Sequence, residues 1–285
     1  MSYIYRCRFR VRGYEIGPTG VVHDSAILNY MQQAAFEASA HAGYDTRRYD
    51  ALGTIWVIRK QAVVYLAPLT FGDAVEVETW VSNTRRVHCY REYALRRASD
   101  ARLVALAQAD WIYVDAASLF PCRIPQTAID LFDPNGVDAL DGAPPLESAL
   151  ELEGQPFIYR HRPRRYELDN LCHVNNANYL DWLNQARLDA LDAMGFSLED
   201  QATRLQVLDL IPAPVRYAVE YFAPAGVNDE IDVHSRVVGA GPTQLTWAHE
   251  VRRDEERLLA ARATVCLQDD AGQVAPLPQA LLEAL

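Results

Sequence analysis

Apolar side chains recur along this chain with two different periods, and the switches between them mark out its elements. From Ala26 to Ala42 and again from Asn178 to Met194 they return at helical spacing, which predicts one long amphipathic helix in each half. Val75 to Val81, Tyr90 to Leu95, Trp111 to Val114, Ile231 to Val237 and Leu245 to Val251 alternate or are rich in β-branched residues, which predicts strands. A long helix laid against an antiparallel sheet is an α+β layer arrangement, here expected twice.

The two halves resemble each other residue by residue. The segment from Tyr14 to Tyr44 returns without a gap 152 positions later, with identities at Tyr14/Tyr166, Glu15/Glu167, Val22/Val174, Leu28/Leu180, Gln33/Gln185, Ala34/Ala186 and Gly43/Gly195. A second block, offset by 156, matches Ala62, Val63, Tyr65, Ala67, Pro68, Asp73 and Val77 with Ala218, Val219, Tyr221, Ala223, Pro224, Asp229 and Val233. Two blocks in the same order point to a tandem duplication, with domains expected at 1–131 and 156–285. Between them, 132–155 holds Asp-Pro-Asn-Gly, Gly-Ala-Pro-Pro and an acidic run, and reads as a surface linker. Two such sheets side by side would form a pseudo-dimer, each helix buried against its own concave sheet.

Composition narrows the class without naming a function. The chain has 285 residues, 50% of them hydrophobic and 23% charged, enough for one large or two small globular domains. No run of about 18 apolar residues is present, and Met1 to Arg12 alternates arginine with apolar side chains, unlike a secretory signal, so a cytoplasmic protein with no membrane association is expected. Cys7, Cys89, Cys122, Cys172 and Cys266 are widely spread and include no close pair for zinc or redox chemistry, so neither metal nor cofactor is expected. A net charge of -11 argues against a nucleic-acid partner. Arg6, Arg8, Arg10 and Arg12 share one strand face, as do Arg160, Arg162 and Arg164; each set is either a solvated face or a platform for phosphates or an acidic partner.

The densest chemistry lies from Asp169 to Trp182. A carboxylate (Asp169), an imidazole (His173) and the amides Asn175 and Asn176 gather just before the second predicted helix, where unpaired N–H groups and a partial positive charge can hold a developing oxyanion. Asp169 alone could be a turn or cap. The duplication sharpens the choice: the first copy has Gly17, Val21, His23 and Asp24 at the positions of Asp169, His173, Asn175 and Asn176. A structural requirement of the loop would appear in both copies. Asp169 and His173 are therefore expected to be catalytic; Asn175 either orients the reacting groups or caps the helix. Cys172 has no base clearly set beside it and is the weaker nucleophile candidate.

These residues are also where a family becomes visible. Tyr14-Glu15-Ile16-Gly17, Leu28, Gln32, His41-Ala42, Ile55-Trp56-Val57-Ile58-Arg59, Pro68, Gly72-Asp73 and Glu78-Thr79-Trp80-Val81, then His173-Val174-Asn175-Asn176 with Tyr179 and Trp182, resemble the acyl-acyl-carrier-protein thioesterases of the double hot-dog type. The likeness runs over most of 9–125 and 157–238. Asp169 with Cys172 also resembles the loop of hydroxybenzoyl-CoA-type thioesterases. Two positions depart from the plant pattern: Leu171 stands where Asp-x-Asn-x-His has Asn, and Pro224 where a Glu follows Glu220-Tyr221.

What the resemblance implies is a tandem hot-dog fold and hydrolysis of fatty-acyl thioesters carried by acyl carrier protein or coenzyme A. Asp169 is then expected to act as general base or nucleophile, His173 to position water or shuttle its proton, and backbone N–H groups near Asn175 and Asn176 to bind the oxyanion. Asn176, with His23 and Asp24 of the first copy, is expected to contact substrate. Two other readings stay open: an enoyl-thioester hydratase or dehydratase, whose Asp and His typically lie five apart instead of four, and a non-catalytic acyl-binding protein. A homodimer of pseudo-dimers also stays open.

Overall fold

The alternating segments pair into antiparallel sheets and the helical segments lie on them, in a computed structural model that describes residues 3–17, 20–144, 150–196, 211–268 and 273–285. Contacts divide the chain into two units, Met1–Pro144 and Pro145–Leu285. In the first, β1 (Ile4–Arg10) leads through a 3₁₀ turn (Gly13–Glu15) to α1 (Asp24–His41) and α2 (Thr46–Leu52). Then come β2 (Thr54–Tyr65), β3 (Ala74–Arg85), β4 (His88–Arg97), β5 (Leu103–Asp115) and α3 (Gln126–Phe132). The strands lie in the order β1-β3-β4-β5-β2, every neighbour antiparallel.

The second unit repeats that plan. After β6 (Leu150–Glu151) come β7 (Phe157–His161), a 3₁₀ turn (Arg165–Glu167), α4 (Asn178–Ala193), β8 (Ile211–Tyr221), β9 (Ile231–Ala240), β10 (Gln244–Arg253), β11 (Glu256–Gln268), β12 (Val274–Ala275) and α5 (Gln279–Ala284). Its main strands run β7-β9-β10-β11-β8, again antiparallel. β6 adds to β9 and β12 to β11.

The identities between the copies fall where packing demands them. Each long helix rests on two strands of its own unit, α1 on β1 and β3, α4 on β7 and β9. Small residues at matching turns, Ala34 and Ala38 in α1, Ala186 and Ala190 in α4, are buried and let the backbone approach the sheet, while Leu28 and Leu180 fill the same core position. Both helices stop at a glycine in the left-handed region, Gly43 (φ 86°) and Gly195 (φ 90°), a conformation a side chain would strain. Asp73 and Asp229 each accept a backbone N–H at 2.8 Å, from Thr70 and Gly226, and each lies beside an arginine of its own sheet, Arg97 at 3.8 Å and Arg253 at 2.7 Å.

Part of the stretch expected to be a surface linker is instead a strap on the first sheet. Asn135 and Gly136 donate backbone N–H groups to Val81 and Ser82 carbonyls at 3.1 and 2.8 Å, and Trp80 Nε1 donates to Val137 O at 2.8 Å. Ala139 packs against Trp80 and Ala94, and its N–H caps the buried Glu92 carboxylate at 3.1 Å. Burial pushes the Glu92 carboxyl up, and hydrogen bonds from Ser82, Ala139 and Gln108 oppose that. Residues 145–149 of that linker lie outside the described residues. The arginines of β1 are exposed on one face as expected, with Arg6 bonded to Glu78 at 2.6 Å; Arg8 and Arg10 have no ion-pair partner among the described residues.

Leu28→Ala and Leu180→Ala test whether the copies bury the same core. Both side chains are almost fully enclosed, so each truncation is expected to lower unfolding stability by about 2–5 kcal/mol. The measurement is the urea midpoint for each variant; a loss under about 1 kcal/mol at either site would show that its core position is loosely packed.

Candidate functional site

The loop singled out by sequence begins where a buried glutamate ends the 3₁₀ turn. Glu167 Oε2 accepts the Arg164 N–H at 2.5 Å and Oε1 accepts Trp182 Nε1 at 2.8 Å, while its backbone carbonyl accepts Asn175 N–H at 2.9 Å and Asn178 Nδ2 at 2.8 Å. One residue therefore ties strand, loop and helix together. Leu168 then bridges Val174, and Val174 N–H donates to Ala225 O at 2.9 Å.

The same bonds recur in the first copy with the same offsets. Arg12 N–H donates to Glu15 Oε2 at 2.7 Å, Tyr30 OH donates to that oxygen at 2.5 Å, and Glu15 O accepts His23 N–H at 2.9 Å. Ile16 bridges Val22, and Val22 N–H donates to Leu69 O at 2.9 Å. Tyr65 OH donates to Asp24 O at 3.4 Å, as Tyr221 OH does to Asn176 O at 3.0 Å. Two copies thus share one scaffold.

Inside the scaffold the side chains differ. The loop closes through Asp169 N–H to His173 O at 2.8 Å, matching Gly17 N–H to Val21 O at 2.9 Å. Asp169 Oδ1 accepts the N–H of Leu171 at 2.8 Å and of His173 at 3.3 Å. That fixes the carboxylate and leaves Oδ2 without a hydrogen bond among the described residues. The His173 ring, half-buried, is likewise without one, and the two side chains do not bond each other. At the first copy's Gly17 a Cβ would meet His23 Cε1 at 3.0 Å, tighter than ordinary contact. A side chain at position 17 would therefore require the exposed His23 ring to shift slightly.

The remaining candidates have local duties. Asn175 Oδ1 accepts Ala177 N–H at 2.9 Å and Asn175 O accepts Asn178 N–H at 3.0 Å, so Asn175 is the turn residue that starts α4. Of the N–H groups near Asn175 and Asn176 expected to bind an oxyanion, that of Asn175 is committed to Glu167 O, and closing the turn already satisfies it. Asp24, the first residue of α1, is buried, and His23 precedes it with no side-chain cap bond. Tyr179 OH accepts Ala225 N–H at 2.9 Å, and burial pushes its phenol up to about 12; burial raises Tyr221 further. Both are therefore protonated supports of the loop, not bases. Glu167, Tyr179 and Tyr221 were not singled out as site residues from sequence, although Glu15/Glu167 and Tyr65/Tyr221 stood among the repeat identities. Among the described residues no cluster of His, Cys, Asp and Glu could hold a metal ion.

Cys172 sits exposed at φ 59°, where the first copy has Gly20 at φ 80°. A side chain in that region costs roughly 1 kcal/mol. Cys172→Gly is expected to keep or raise the thermal midpoint, and Cys172→Val to lower it, as read by calorimetry. The opposite order would mean the thiol makes a stabilising contact.

Comparison with known proteins gives a consistent answer. Residues 2–132 match the model described as "Acyl-ACP thioesterase N-terminal domain", and residues 163–285 the "Thioesterase-like superfamily". Among curated proteins, the "Acyl-[acyl-carrier-protein] hydrolase FATB2, chloroplastic" of Cuphea viscosissima is 26% identical over 196 residues, covering 63% of this chain and 46% of its own length. An "Oleoyl-acyl carrier protein thioesterase 1, chloroplastic" of Arabidopsis thaliana is 25% identical over 198 residues, covering 63% of this chain and 53% of its own. The chain spans about half the length of the curated relatives it matches. Two solved structures share the fold: the 12:0-ACP thioesterase of Umbellularia californica (TM-score 0.73, 20% identity, 93% of this chain and 94% of that one) and an acyl-ACP thioesterase of Bacteroides thetaiotaomicron (0.71, 14%, 92% and 97%).

Proposed function

We propose that the chain, with its double hot-dog fold and its first half matching the acyl-acyl-carrier-protein thioesterase model, belongs to that family and hydrolyses fatty-acyl thioesters of acyl carrier protein to free fatty acid and thiol. The observation that carries this reading is the difference between the two copies of one scaffold. Matching backbone bonds hold Gly17, Val21 and His23 in one and Asp169, His173 and Asn175 in the other. Chemistry has been added where structure did not require it.

In this reading Asp169 Oδ2, held by the two N–H groups on Oδ1, takes a proton from water as the water oxygen attacks the thioester carbon. His173 orients that water. The positive end of the α4 dipole lowers the cost of charge developing on the carbonyl oxygen. The tetrahedral intermediate collapses with cleavage of the C–S bond, and the thiolate leaves readily because a thiol with a pKa near ~8.5 is a good leaving group. Asp169 returns the proton to the thiolate. Asn175 holds the loop, and Asn176 is assigned to substrate contact. Leu171 and Pro224 supply no polar group, so the reaction is carried without the amide and the second carboxylate of the plant pattern.

Coenzyme A conjugates form the second carrier class. Cytoplasmic operation belongs to the same reading and is supported by five cysteines that are all free. No helix among the described residues is long and apolar enough to cross a membrane.

Purified protein is to be screened for thiol release from acyl conjugates of both carriers, alongside enoyl hydration. Asp169→Asn is expected to cut thiol release at least about 100-fold with unchanged circular dichroism. A loss below about threefold, or hydration without thiol release, would remove Asp169 or hydrolysis from the account.

A further inference from the structure

Beneath the candidate loop the two copies solve one electrostatic problem in different ways. From that difference we propose that His161 is a positioning residue for the reaction at Asp169, acting through Glu167; the inference rests on the hydrolytic reading above. Glu15 and Glu167 are equivalent buried carboxylates, and a carboxylate removed from water needs charge or hydrogen bonds around it. In the first copy the Arg12 guanidinium supplies the charge, with Nη1 at 3.0 Å from Glu15 Oε1. Position 9 there is an apolar ring, Phe9, stacked on Tyr30 with centroids 5.3 Å apart.

The second copy exchanges these parts. Arg164, equivalent to Arg12, makes no ion pair with Glu167. Instead His161 occupies the position of Phe9, with its ring centroid 4.6 Å from that of Trp182 and Nε2 at 3.2 Å from Glu167 Oε2. Its Nδ1 lies 3.3 Å from Tyr159 OH. The Glu167 carboxylate can only accept, so it calls for the proton on Nε2; Nδ1 is then free to accept from Tyr159 OH.

The exchange occurs in the copy that carries Asp169 and His173, and Glu167 does more there. Its carbonyl accepts both Asn175 N–H and Asn178 Nδ2, whereas Glu15 O receives His23 N–H. Holding the Glu167 carboxylate therefore holds the far end of the 168–175 loop and, with it, the direction of Asp169. Reacting groups need that precision, since small misplacements in a site slow the chemical step more than they weaken binding.

Two substitutions separate this role from packing. His161→Phe keeps the ring contact with Trp182 and restores the first copy's residue but removes the donor to Glu167; His161→Gln keeps a donor and removes the ring. The expected result is kcat about tenfold lower in His161→Phe with KM within about twofold, and His161→Gln within about threefold of the parent. A ring needed only for packing gives the reverse order, and that order, or a His161→Phe enzyme equal to the parent, overturns the proposal. Amide hydrogen exchange across 168–176 is measured in parallel. It should be faster in the Phe variant than in the Gln variant, and equal rates also overturn the proposal. If the parent releases no thiol, the hydrolytic reading fails, while exchange still decides whether His161 positions the loop.

Discussion

A carboxylate buried under a loop is the constraint on which the rest of this architecture depends. Glu15 and Glu167 each lie where a strand has ended and a long helix has not yet begun, and each binds the chain on both sides of that gap. Desolvating an acid is costly, so it is tolerated only when every oxygen has donors in fixed places. That demand sets the path of the backbone. The strand must deliver an N–H at Arg12 or Arg164, the helix must deliver Tyr30 or Trp182, and the intervening residues can close only as a narrow turn.

A rigid frame of this kind suits chemistry because it leaves side chains to be chosen independently. In the second unit the backbone N–H groups of Val174, Asn175, Ala177 and Asn178 are all satisfied by bonds that use neither the Asp169 nor the His173 side chain. Asp169 has one oxygen bound into the turn and the other outside it. A carboxylate held in that way keeps its direction without losing its basic atom. Cys172 shows the accompanying strain: the turn requires a left-handed residue, and only the first copy places glycine there.

Much of this was legible from sequence because repetition marks the residues that a fold cannot change. Glu15/Glu167, Tyr65/Tyr221, Asp73/Asp229 and Gly43/Gly195 stood out as identities, and each makes an equivalent bond or turn in the structure. Alternation and helical spacing located the long elements for the same reason, since burial on one face imposes the period. The strap at 135–142 was not legible. Asp-Pro-Asn-Gly has the composition of an exposed turn, and its backbone groups find partners in the indole of Trp80, the carbonyls of Val81 and Ser82 and the buried Glu92, all distant in sequence. The commitment of Asn175 N–H was hidden in the same way, because its acceptor is a backbone carbonyl that any residue would provide.

The duplication also explains how the two units can carry different side chains on one frame. If the loop's stability came from the side chains of Asp169 and His173, replacing them by Gly17 and Val21 would unravel the first copy; it does not, because the shared bonds run through Glu15, Val22 and His23 backbone groups. Once the frame is independent of the reacting groups, each copy can fill it differently. In the first, a Cβ at position 17 would lie 3.0 Å from His23 Cε1. The second sets an imidazole against its buried acid where the first sets an arginine.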